Sequence, residues 1–139
     1  MKLKVKALRE GAKLPTRGTE LAGGLDLYCY GPWPLFTSPR KIPTGIAVEI
    51  PAGYVGLIQT RSSSALKGIT VFTTVIDADY RGEIFITAKG DEDAVLSLLE
   101  NGQRIAQLVL LPLPEFEPEW ADELSETERG TGGYGSTGV

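Results

Sequence analysis

Four short segments of the chain bring charged, hydroxyl-bearing and glycine residues together, and these residue types can do chemistry on phosphates. The segments read AGGLDL at residues 22–27, RSSS at 61–64, DADYRG at 77–82 and GQRIAQ at 102–107. An arginine beside serine hydroxyls can hold a phosphate, and a carboxylate can take a proton from water. These segments are therefore the candidate sites for chemistry.

Each segment taken alone also has an ordinary structural explanation. Asp26 can satisfy local backbone donors, and Arg61 with its serines can form a capped turn that carries a surface charge. Aspartates are common in turns for conformational reasons, and alternating polar residues often line the solvated face of a strand. No single segment is sufficient to assign a function.

The chain of 139 residues contains no histidine and only one cysteine, which excludes several mechanisms. A Ser-His-Asp triad, an imidazole base and a His-ligated zinc site all need histidine. The single Cys29 excludes an intrachain disulfide and a cysteine-cluster metal site, and it fits a reducing compartment. Acid–base chemistry must therefore come from carboxylates, lysine, tyrosine or metal-bound water.

Charge is distributed unevenly along the chain, although the net charge is only −4. Residues 115–128 hold seven of the 18 acids and no base, whereas residues 1–114 hold 13 bases and 11 acids. A slightly positive body suits a small anionic ligand better than nucleic acid, which usually meets a strongly basic face. The chain shows no signal peptide and no apolar run of the roughly 20 residues that span a bilayer. We expect a soluble, cytoplasmic protein without a nucleic-acid or membrane partner.

Polar and apolar residues alternate with a period of two along much of the chain, which predicts β-strands. Seventeen glycines and nine prolines fit many short strands with tight connections. One short helical turn is expected at Ser62–Lys67, a hairpin at residues 77–82, and Ala94–Leu99 is ambiguous between helix and strand. The pattern favours an all-β barrel or sandwich. The predicted strands are Lys2–Ala7, Ile46–Ile50, Tyr54–Gln59, Ile69–Ile76, Glu83–Ala88 and Ile105–Leu111.

The end of the chain differs from the body, so we divide the sequence into a barrel at 1–114, an acidic connector at 115–128 and a glycine-rich arm at 129–139. Its low hydrophobicity alone predicts a disordered tail. However, an arginine, glycine backbone amides and Ser/Thr hydroxyls together suit a phosphate, and a tyrosine ring can stack on a base. An arm that orders over a bound nucleotide would explain both properties.

Taken in order, the four segments and the arm resemble the five motifs of the trimeric dUTPase family, the dUTP diphosphatases. The resemblance spans residues 22–137, and the ordered set of five motifs is highly specific. The motifs as they stand in this chain are AGGLDL, RSSSALKGI, VIDADYRGEI, GQRIAQL and RGTGGYGSTG.

This resemblance implies a distorted β-barrel or jelly-roll-like fold with at most one short helix and a flexible C-terminal arm. It implies Mg²⁺-dependent hydrolysis of dUTP to dUMP and pyrophosphate, by in-line attack of water on the α-phosphorus. That reaction limits the incorporation of uracil into DNA and supplies dUMP for dTMP synthesis. The resemblance also implies a homotrimer whose active sites are shared between subunits, with the third subunit donating its arm.

The motifs assign the catalytic and phosphate-binding residues by position. Asp77 corresponds to the carboxylate that orients and deprotonates the attacking water, which fits a chain without histidine. Arg61, Ser62 and Ser63 match the residues that hold the phosphates, and Gln107 matches a further phosphate contact. We therefore expect Asp77, Arg61 and Gln107 to form the catalytic set.

The resemblance further implies which residues recognise the metal and the nucleoside. Asp26 corresponds to a water-mediated contact of Mg²⁺, which is expected mainly on the triphosphate. Tyr80 matches the ring under the deoxyribose that leaves no room for a 2′-hydroxyl. Backbone groups of the hairpin, with Ile84 and Phe85 as its expected substrate-binding residues, would pair with uracil while the fit excludes a 5-methyl group.

The resemblance also implies that the arm closes over the bound nucleotide. Tyr134 would stack on uracil, where relatives usually carry phenylalanine, so the ring face is kept. The expected phosphate contacts are Arg129, Ser136 and Thr137, and Gly133 and Gly135 complete the predicted substrate-binding residues of the arm.

Some positions depart from the family pattern. Thr74 stands where a glycine usually precedes Val-Ile-Asp, and Ser62-Ser63-Ser64 replaces the common Ser-Gly-Leu. Residues 89–100 match only loosely. The first departure affects the contacts expected with uracil, and the second replaces one backbone approach to phosphate with a hydroxyl.

Three alternatives remain open at the level of sequence. The sister dCTP deaminase group shares the barrel, although the glycine-rich fifth motif and the intact third motif argue against it. A nucleotide-binding or regulatory paralogue could keep the fold without hydrolysis. A structural β-barrel without a small-molecule site would leave five spaced motifs unexplained.

Overall fold

Short β-strands make up most of the regular structure in this computed structural model, which describes residues 1–135. The one α-helix among these residues, α1, spans Ser62–Leu66, and a 3₁₀ turn covers Ala94–Leu96. No helix of the described residues has the length and apolar character needed to cross a membrane. The predictions of an all-β chain and of one short helix are confirmed. The strands are β1 (Lys4–Ala7), β2 (Thr16–Arg17), β3 (Leu25–Tyr28), β4 (Trp33–Pro34), β5 (Arg40–Pro43), β6 (Ile46–Glu49), β7 (Tyr54–Thr60), β8 (Ile69–Val71), β9 (Thr74–Ile76), β10 (Phe85–Gly90), β11 (Leu98–Leu99) and β12 (Arg104–Pro112).

The strands pair in antiparallel fashion into four sheets. The largest has five strands in the order β2-β3-β12-β7-β9, and a second has the order β5-β10-β8. Strands β1 and β6 form one two-stranded ribbon, and β4 and β11 form another. Within the described residues these sheets stay separate rather than closing into one continuous barrel, so the fold is jelly-roll-like.

Branched aliphatic side chains from the inner faces of the sheets form the core. Ile58 on β7 and Leu108 on β12 lie opposite each other, and both are fully buried. Burying an aliphatic side chain of this size contributes about 1.5–3 kcal/mol. Other fully buried side chains are Leu27, Ile42, Ile50, Ile84, Ile86, Leu99 and Ile105.

The single cysteine belongs to this core. Cys29 is buried, and its thiol donates to the carbonyl of Gly31. Burial raises the pKa of the Cys29 thiol to about 11. The thiol therefore stays protonated at neutral pH, and the residue serves as a small core side chain rather than as a nucleophile.

Two local predictions are wrong, and both errors have the same cause. The run Ile69–Ile76 is not one strand, because β8 pairs with β10 while β9 pairs with β7 in a different sheet. The hairpin expected at residues 77–82 does not form, since β9 and β10 on either side of it belong to those two different sheets. Turn residues indicate that the chain changes direction, but they do not determine which strand each end will pair with.

The chain leaves the body at the end of β12. The N–H of Leu113 donates to the carbonyl of Gly53 at 2.8 Å, and this is the last backbone hydrogen bond to the body that the described residues show. Residues 115–131 are exposed throughout, including the apolar side chains of Phe116 and Trp120. No helix or strand forms in 113–135.

Candidate active site

Asp26 on β3 and Gln107 on β12 are direct partners across the strand pair. Directly opposed residues of an antiparallel pair point to the same face, so the carboxylate and the amide lie side by side. The neighbouring Leu27 and Ala106 point to the other face and are fully buried. Strand alternation therefore places two predicted site residues together on the outer face of the five-stranded sheet.

A β-bulge in β12 turns Arg104 to this same face. The register shifts between Arg104 and Ala106, so Ile105 is an extra residue in the strand. Ile105 and Ala106 are both buried in succession, which breaks the period of two and leaves Arg104 pointing outward with Gln107. Bulges near functional sites often redirect a side chain in this way.

Arg104 was not among the predicted site residues, yet it contacts one of them. Its Nη1 lies 3.5 Å from Oδ2 of Asp26. The adjacent apolar residues in the sequence RIAQ were the available signal, because two successive apolar residues interrupt the alternation expected of a half-buried strand. Asp26 therefore faces the guanidinium of Arg104, a residue that the motifs identify only as a member of GQRIAQL.

Arg61 holds the other oxygen of the same carboxylate. It follows the end of β7 and directly precedes α1, and its Nε lies 3.0 Å from Oδ1 of Asp26. Its Nη1 also donates to Oγ of Ser63 at 3.2 Å and to the carbonyl of Arg104 at 3.1 Å. The side chains of Asp26 and Arg61 are only 14% and 24% exposed, so solvent screens this ion pair weakly.

The three serines after Arg61 have different surroundings. Ser64 is buried, and its hydroxyl donates to the carbonyl of Ile105 at 2.9 Å, which fixes α1 against β12. Ser62 and Ser63 are exposed, and the hydroxyl of Ser63 accepts a hydrogen bond from the guanidinium of Arg61. The buried serine therefore anchors the helix, and the two exposed serines, which are the predicted ones, are available to a ligand.

The side chain of Gln107 on β12 contacts the chain on both sides of its strand, at the end of β7 and in the loop before β3. Its Nε2 donates to the carbonyl of Thr60 at 2.9 Å. Its Oε1 lies against Gly24 so closely that a Cβ on that glycine would collide with it. Gly24 in AGGLDL is therefore required for the position of the Gln107 amide.

The residues from the first, second and fourth motifs thus form one cluster, which we call the phosphate cluster: Asp26, Arg61, Ser62, Ser63, Arg104 and Gln107. Two guanidinium groups, hydroxyls and an amide suit a polyphosphate. The cluster supplies one carboxylate, and residues 1–135 contain no group of three side chains arranged to hold a metal ion.

Asp77 and Tyr80 belong to a second site, a cavity of about 330 Å³ beside β9 and β10. Asp77 is exposed at this cavity and directly follows β9. A volume of this size is at the lower end of the range of small-ligand pockets. The cavity is lined by Lys41, Thr74, Val75, Ile76, Asp77, Tyr80, Glu83, Phe85 and Thr87.

The loop that follows Asp77 folds back on itself. The N–H of Tyr80 donates to the carbonyl of Asp77 at 3.1 Å, and the Tyr80 hydroxyl donates to the carbonyl of Glu83 at 2.8 Å. The ring lies over Gly82, where a Cβ would collide with the hydroxyl oxygen. Two hydrogen bonds and one glycine therefore define where the Tyr80 ring stands.

The two predicted residues after this loop have different surroundings. Phe85 lines the cavity and is half-buried. Ile84 is fully buried in the core, its N–H donates to the carbonyl of Ile46, and its carbonyl accepts from the Thr44 hydroxyl. The Ile84 side chain therefore supports the cavity from the core side.

The described part of the arm makes hydrogen bonds within itself and, from the N–H of Gly130, to the hydroxyl of Thr127 in the connector, but none to the body. Nε of Arg129 donates to the carbonyl of Gly132 at 2.6 Å, and the N–H of Gly132 donates back to the carbonyl of Arg129. The ring of Tyr134 is fully exposed. Gly133 lies beside the Arg129 guanidinium and Gly135 has a positive φ, while Ser136 and Thr137 lie outside the described residues.

The phosphate cluster and the Asp77 cavity lie at opposite ends of β7. Ile76 pairs with Gly56, so Asp77 lies beside the start of β7, whereas Arg61 follows its last residue, Thr60. With a rise of about 3.3 Å per residue, the two positions are roughly 20 Å apart along the strand. One chain therefore does not bring Asp77 to Arg61.

Comparison with known proteins decides the family. The dUTPase family profile matches residues 10–138, which is nearly the whole chain. The chain belongs to the dUTPase family. This match confirms the prediction of a dUTPase. It begins in the loop after β1 and extends into the arm.

Individual dUTPases resemble the chain over its full length. The deoxyuridine 5′-triphosphate nucleotidohydrolase of Hydrogenobaculum is 45% identical, with 100% of this chain and 99% of that protein covered. The protein of the same name from Syntrophotalea carbinolica is also 45% identical, covering 98% of this chain and 96% of its own.

Solved dUTPase structures share the fold. A mutant dUTPase of Staphylococcus bacteriophage 80alpha, described with dUpNHpp, superimposes with a TM-score of 0.88 at 31% identity and covers 99% of both chains. A dUTPase mutant from phage phi11 of S. aureus, described as coordinating a structural Mg(II) ion, gives a TM-score of 0.80 at 27% identity. It covers 88% of this chain and 98% of its own.

Proposed function

We propose that the protein hydrolyses dUTP to dUMP and pyrophosphate in a Mg²⁺-dependent reaction. The observation that supports this most directly is the phosphate cluster, in which Arg61 and Arg104 share the carboxylate of Asp26 beside two exposed serines and Gln107. A polyphosphate offers the negative charge and the acceptor oxygens that these donors need. Because the chain belongs to the dUTPase family, we infer that this polyphosphate is the triphosphate of a uracil nucleotide.

We assign the general base to Asp77. Its carboxylate is exposed at the cavity, where it can reach a water molecule, and the chain has no histidine to take that role. The carboxylate would accept a proton as the water attacks the α-phosphorus in line with the departing pyrophosphate. The bond that breaks is the one between the α-phosphorus and the oxygen that bridges to the β-phosphorus.

Arg61, Ser62, Ser63 and Gln107 would hold the phosphates during this attack. The Nη1 of Arg61 donates to the hydroxyl oxygen of Ser63, so the two groups are adjacent and would contact the same phosphate. A fixed guanidinium beside a developing negative charge stabilises the transition state without rearrangement. Ser62 is exposed and directly precedes Ser63 in the chain, so its hydroxyl would add a further donor for the phosphates.

The donor set of the cluster fits a metal ion carried by the triphosphate better than a metal held by the protein. Asp26 is the one carboxylate of the cluster, and a guanidinium faces each of its oxygens. It would therefore contact Mg²⁺ through water, as the family resemblance implies. When bound, Mg²⁺ neutralises charge on the departing phosphates. Asp26 also keeps the two guanidinium groups in place.

The Asp77 cavity would receive the nucleoside. The ring of Tyr80, fixed over Gly82, would lie under the deoxyribose and exclude a 2′-hydroxyl. Phe85 lines the same cavity, and Ile84 holds this wall to the core. Backbone groups of this wall would pair with uracil.

The distance between the two sites supports an assembly in which subunits share them. Asp77 and Arg61 of one chain are roughly 20 Å apart along β7, too far to act on adjacent atoms of one nucleotide. A homotrimer would place the Asp77 cavity of one subunit against the phosphate cluster of the next. The third subunit would supply the arm, since its acidic connector at 115–128 is exposed and long enough to cross to a neighbour.

The arm would close over the bound nucleotide. Tyr134 would stack on uracil, and Arg129 with Ser136 and Thr137 would bind the outer phosphates, with Gly133 and Gly135 allowing the backbone to approach. The fully exposed ring of Tyr134 and the absence of hydrogen bonds between the described arm and the body support this role. We further propose a cytoplasmic role in limiting uracil in DNA and supplying dUMP.

Pyrophosphate release from dUTP, dTTP, dCTP and UTP, each with and without Mg²⁺, tests the proposal. We expect pyrophosphate release from dUTP but not from dTTP, dCTP or UTP, and only when Mg²⁺ is present. Ammonia release from dCTP would instead indicate a deaminase. Binding of dUTP without any release would indicate a regulatory paralogue.

A further inference from the structure

Glu83 is a largely buried carboxylate that has no role in the proposed reaction. Its side chain is only 11% exposed, and one of its oxygens, Oε2, is buried without a hydrogen-bond partner among the described residues. A polar atom that is buried without a hydrogen-bond partner destabilises a protein. A charged side chain in such a place therefore calls for an explanation.

The other oxygen of Glu83 is held from a distant part of the chain. Nε of Arg9 donates to Oε1 at 2.9 Å. Arg9 follows β1 and its guanidinium lies over the ring of Tyr30, 5.5 Å from the ring centre, which restricts where it can move. Arg9 is 46% exposed while Glu83 is almost enclosed, so the pair joins a solvated cation to a desolvated anion.

The backbone of Glu83 connects this pair to Tyr80. The carbonyl of Glu83 accepts the hydrogen bond from the Tyr80 hydroxyl at 2.8 Å. The same peptide unit continues into the N–H of Ile84, which donates to the carbonyl of Ile46 at 2.8 Å. The position of the Tyr80 hydroxyl therefore depends on one peptide plane, which is fixed by the core on one side and by Arg9 through the Glu83 side chain on the other.

We propose that Glu83, held by Arg9, is a positioning residue that fixes the Tyr80 ring and so sets the discrimination between deoxyribonucleotides and ribonucleotides. This inference rests on the proposed function, in which Tyr80 lies under the sugar. Glu83 lines the same cavity as Tyr80, but its oxygen Oε1 is bonded to Arg9 and its carbonyl to the Tyr80 hydroxyl, so the pair acts on the substrate through the Tyr80 ring. Without the pair of Arg9 and Glu83, the Tyr80 ring can move and leave room for a 2′-hydroxyl.

The test is the ratio of kcat/KM for dUTP to kcat/KM for UTP. In Arg9→Ala we expect this ratio to fall by about tenfold, since a loosened steric barrier lets the larger sugar enter. Most of the fall should come from a lower KM for UTP, and kcat for dUTP should change little. Arg9→Lys keeps a cation near Oε1 and should restore most of the ratio.

A double-mutant cycle separates positioning from simple destabilisation. Arg9→Ala leaves the buried carboxylate unpaired, whereas Arg9→Ala combined with Glu83→Gln removes the charge as well. We therefore expect the double variant to recover thermal stability relative to Arg9→Ala while its dUTP-to-UTP ratio stays low. Lys4→Ala, which breaks the exposed pair between Lys4 and Glu49, is the matched control and should leave both readouts unchanged.

The possible outcomes are distinct. If the Arg9 and Glu83 variants melt earlier but keep the wild-type ratio, the pair is only structural and the proposal is wrong. Should Arg9→Ala fail to fold, Arg9→Met, which keeps the length of the side chain but removes the donor to Oε1, and Glu83→Asp provide the comparison in milder form, and an unchanged ratio in both overturns the proposal. Wild-type protein that hydrolyses no dUTP at all contradicts the proposed function, and this inference falls with it.

Discussion

The side chain of Gln107 lies directly on the backbone of Gly24, with its amide oxygen in the space that a Cβ would occupy. Its amide nitrogen is at the same time hydrogen-bonded to the carbonyl of Thr60. The glycine of the first motif and the glutamine of the fourth are therefore parts of one arrangement. This contact explains why a residue with no functional group of its own stands beside the phosphate cluster.

Gly24→Ala tests this contact. The added methyl group would displace the Gln107 amide, which sits at the end of a flexible side chain, so the thermal melting point should change little. We expect kcat/KM for dUTP to fall by about tenfold, the loss expected for one misplaced hydrogen bond to a charged phosphate. Gly23→Ala is the matched control, because a Cβ at Gly23 would meet no atom within 4 Å. Equal activity in the two variants would contradict the assignment of Gln107.

Asp77→Asn tests the general base. The amide keeps the shape of the side chain but does not accept a proton, so turnover should fall by about a thousandfold while a non-hydrolysable dUTP analogue still binds. The measurements are steady-state hydrolysis and equilibrium titration of the analogue. Asp79→Asn changes an exposed carboxylate two residues further along the same turn and should retain turnover. Near-normal turnover in Asp77→Asn would remove Asp77 from this role.

Arg61→Lys tests the geometry of the phosphate cluster. Lysine keeps the charge but has one nitrogen, whereas the guanidinium of Arg61 contacts Asp26, Ser63 and the carbonyl of Arg104 at once. We expect KM for dUTP to rise by about ten- to a hundredfold through the loss of charged hydrogen bonds. Arg40→Lys is a suitable control, since Arg40 lies on the surface over the Phe36 ring. Equal KM values in the two variants would argue against a phosphate role for Arg61.

Strand alternation and motif order were sufficient to predict much of this molecule. The strands β6, β7, β10 and β12 lie close to where alternation placed them, and the polar residues of the motifs occur at their ends or outer faces. What the sequence could not supply was pairing, because a period of two is the same in any sheet. The break at Phe72–Thr73 is the clearest case, since strands on either side of it join different sheets.

The candidate site was predictable to a similar degree. Motif positions identified Asp26, Arg61 and Gln107, and the structure brings these three together. Arg104 was missed because its orientation depends on a bulge, which shifts which side of the strand it faces. The pair of Arg9 and Glu83 was also beyond sequence reasoning, since 74 residues separate its members and neither lies at a recognisable spacing from the other.

Mixing two inactive variants tests whether subunits share the site. Asp77→Asn would lack the proposed base and Arg61→Ala the proposed phosphate contact, but a mixed trimer would join the intact Asp77 of one chain to the intact Arg61 of another. Random assembly from equal amounts would make about a quarter of the sites complete, as the symmetry of a closed trimer requires. The measurement is dUTP hydrolysis after the two proteins are unfolded and refolded together. Refolding each variant alone is the control, and no recovery in the mixture would contradict shared sites.

Deletion of residues 129–139 tests the arm. The described arm makes no hydrogen bond to its own body, so the truncated protein should keep its melting point. Turnover should fall by about a hundredfold or more, because the outer phosphates would lose their charged and backbone donors. Tyr134→Phe keeps the ring and should retain activity, whereas Tyr134→Ala should not. Unchanged turnover after truncation would mean that the arm is a tail without a function in catalysis.

The distance between Asp77 and Arg61 along β7 also affects how the protein should behave on dilution. When each working site needs residues from more than one chain, catalytic capacity depends on association as well as on the amount of protein present. Activity per milligram would then fall as the enzyme is diluted below the concentration at which its subunits separate, and saturating nucleotide would delay that fall by holding the chains together. The substrate would in this way help to maintain the assembly that consumes it.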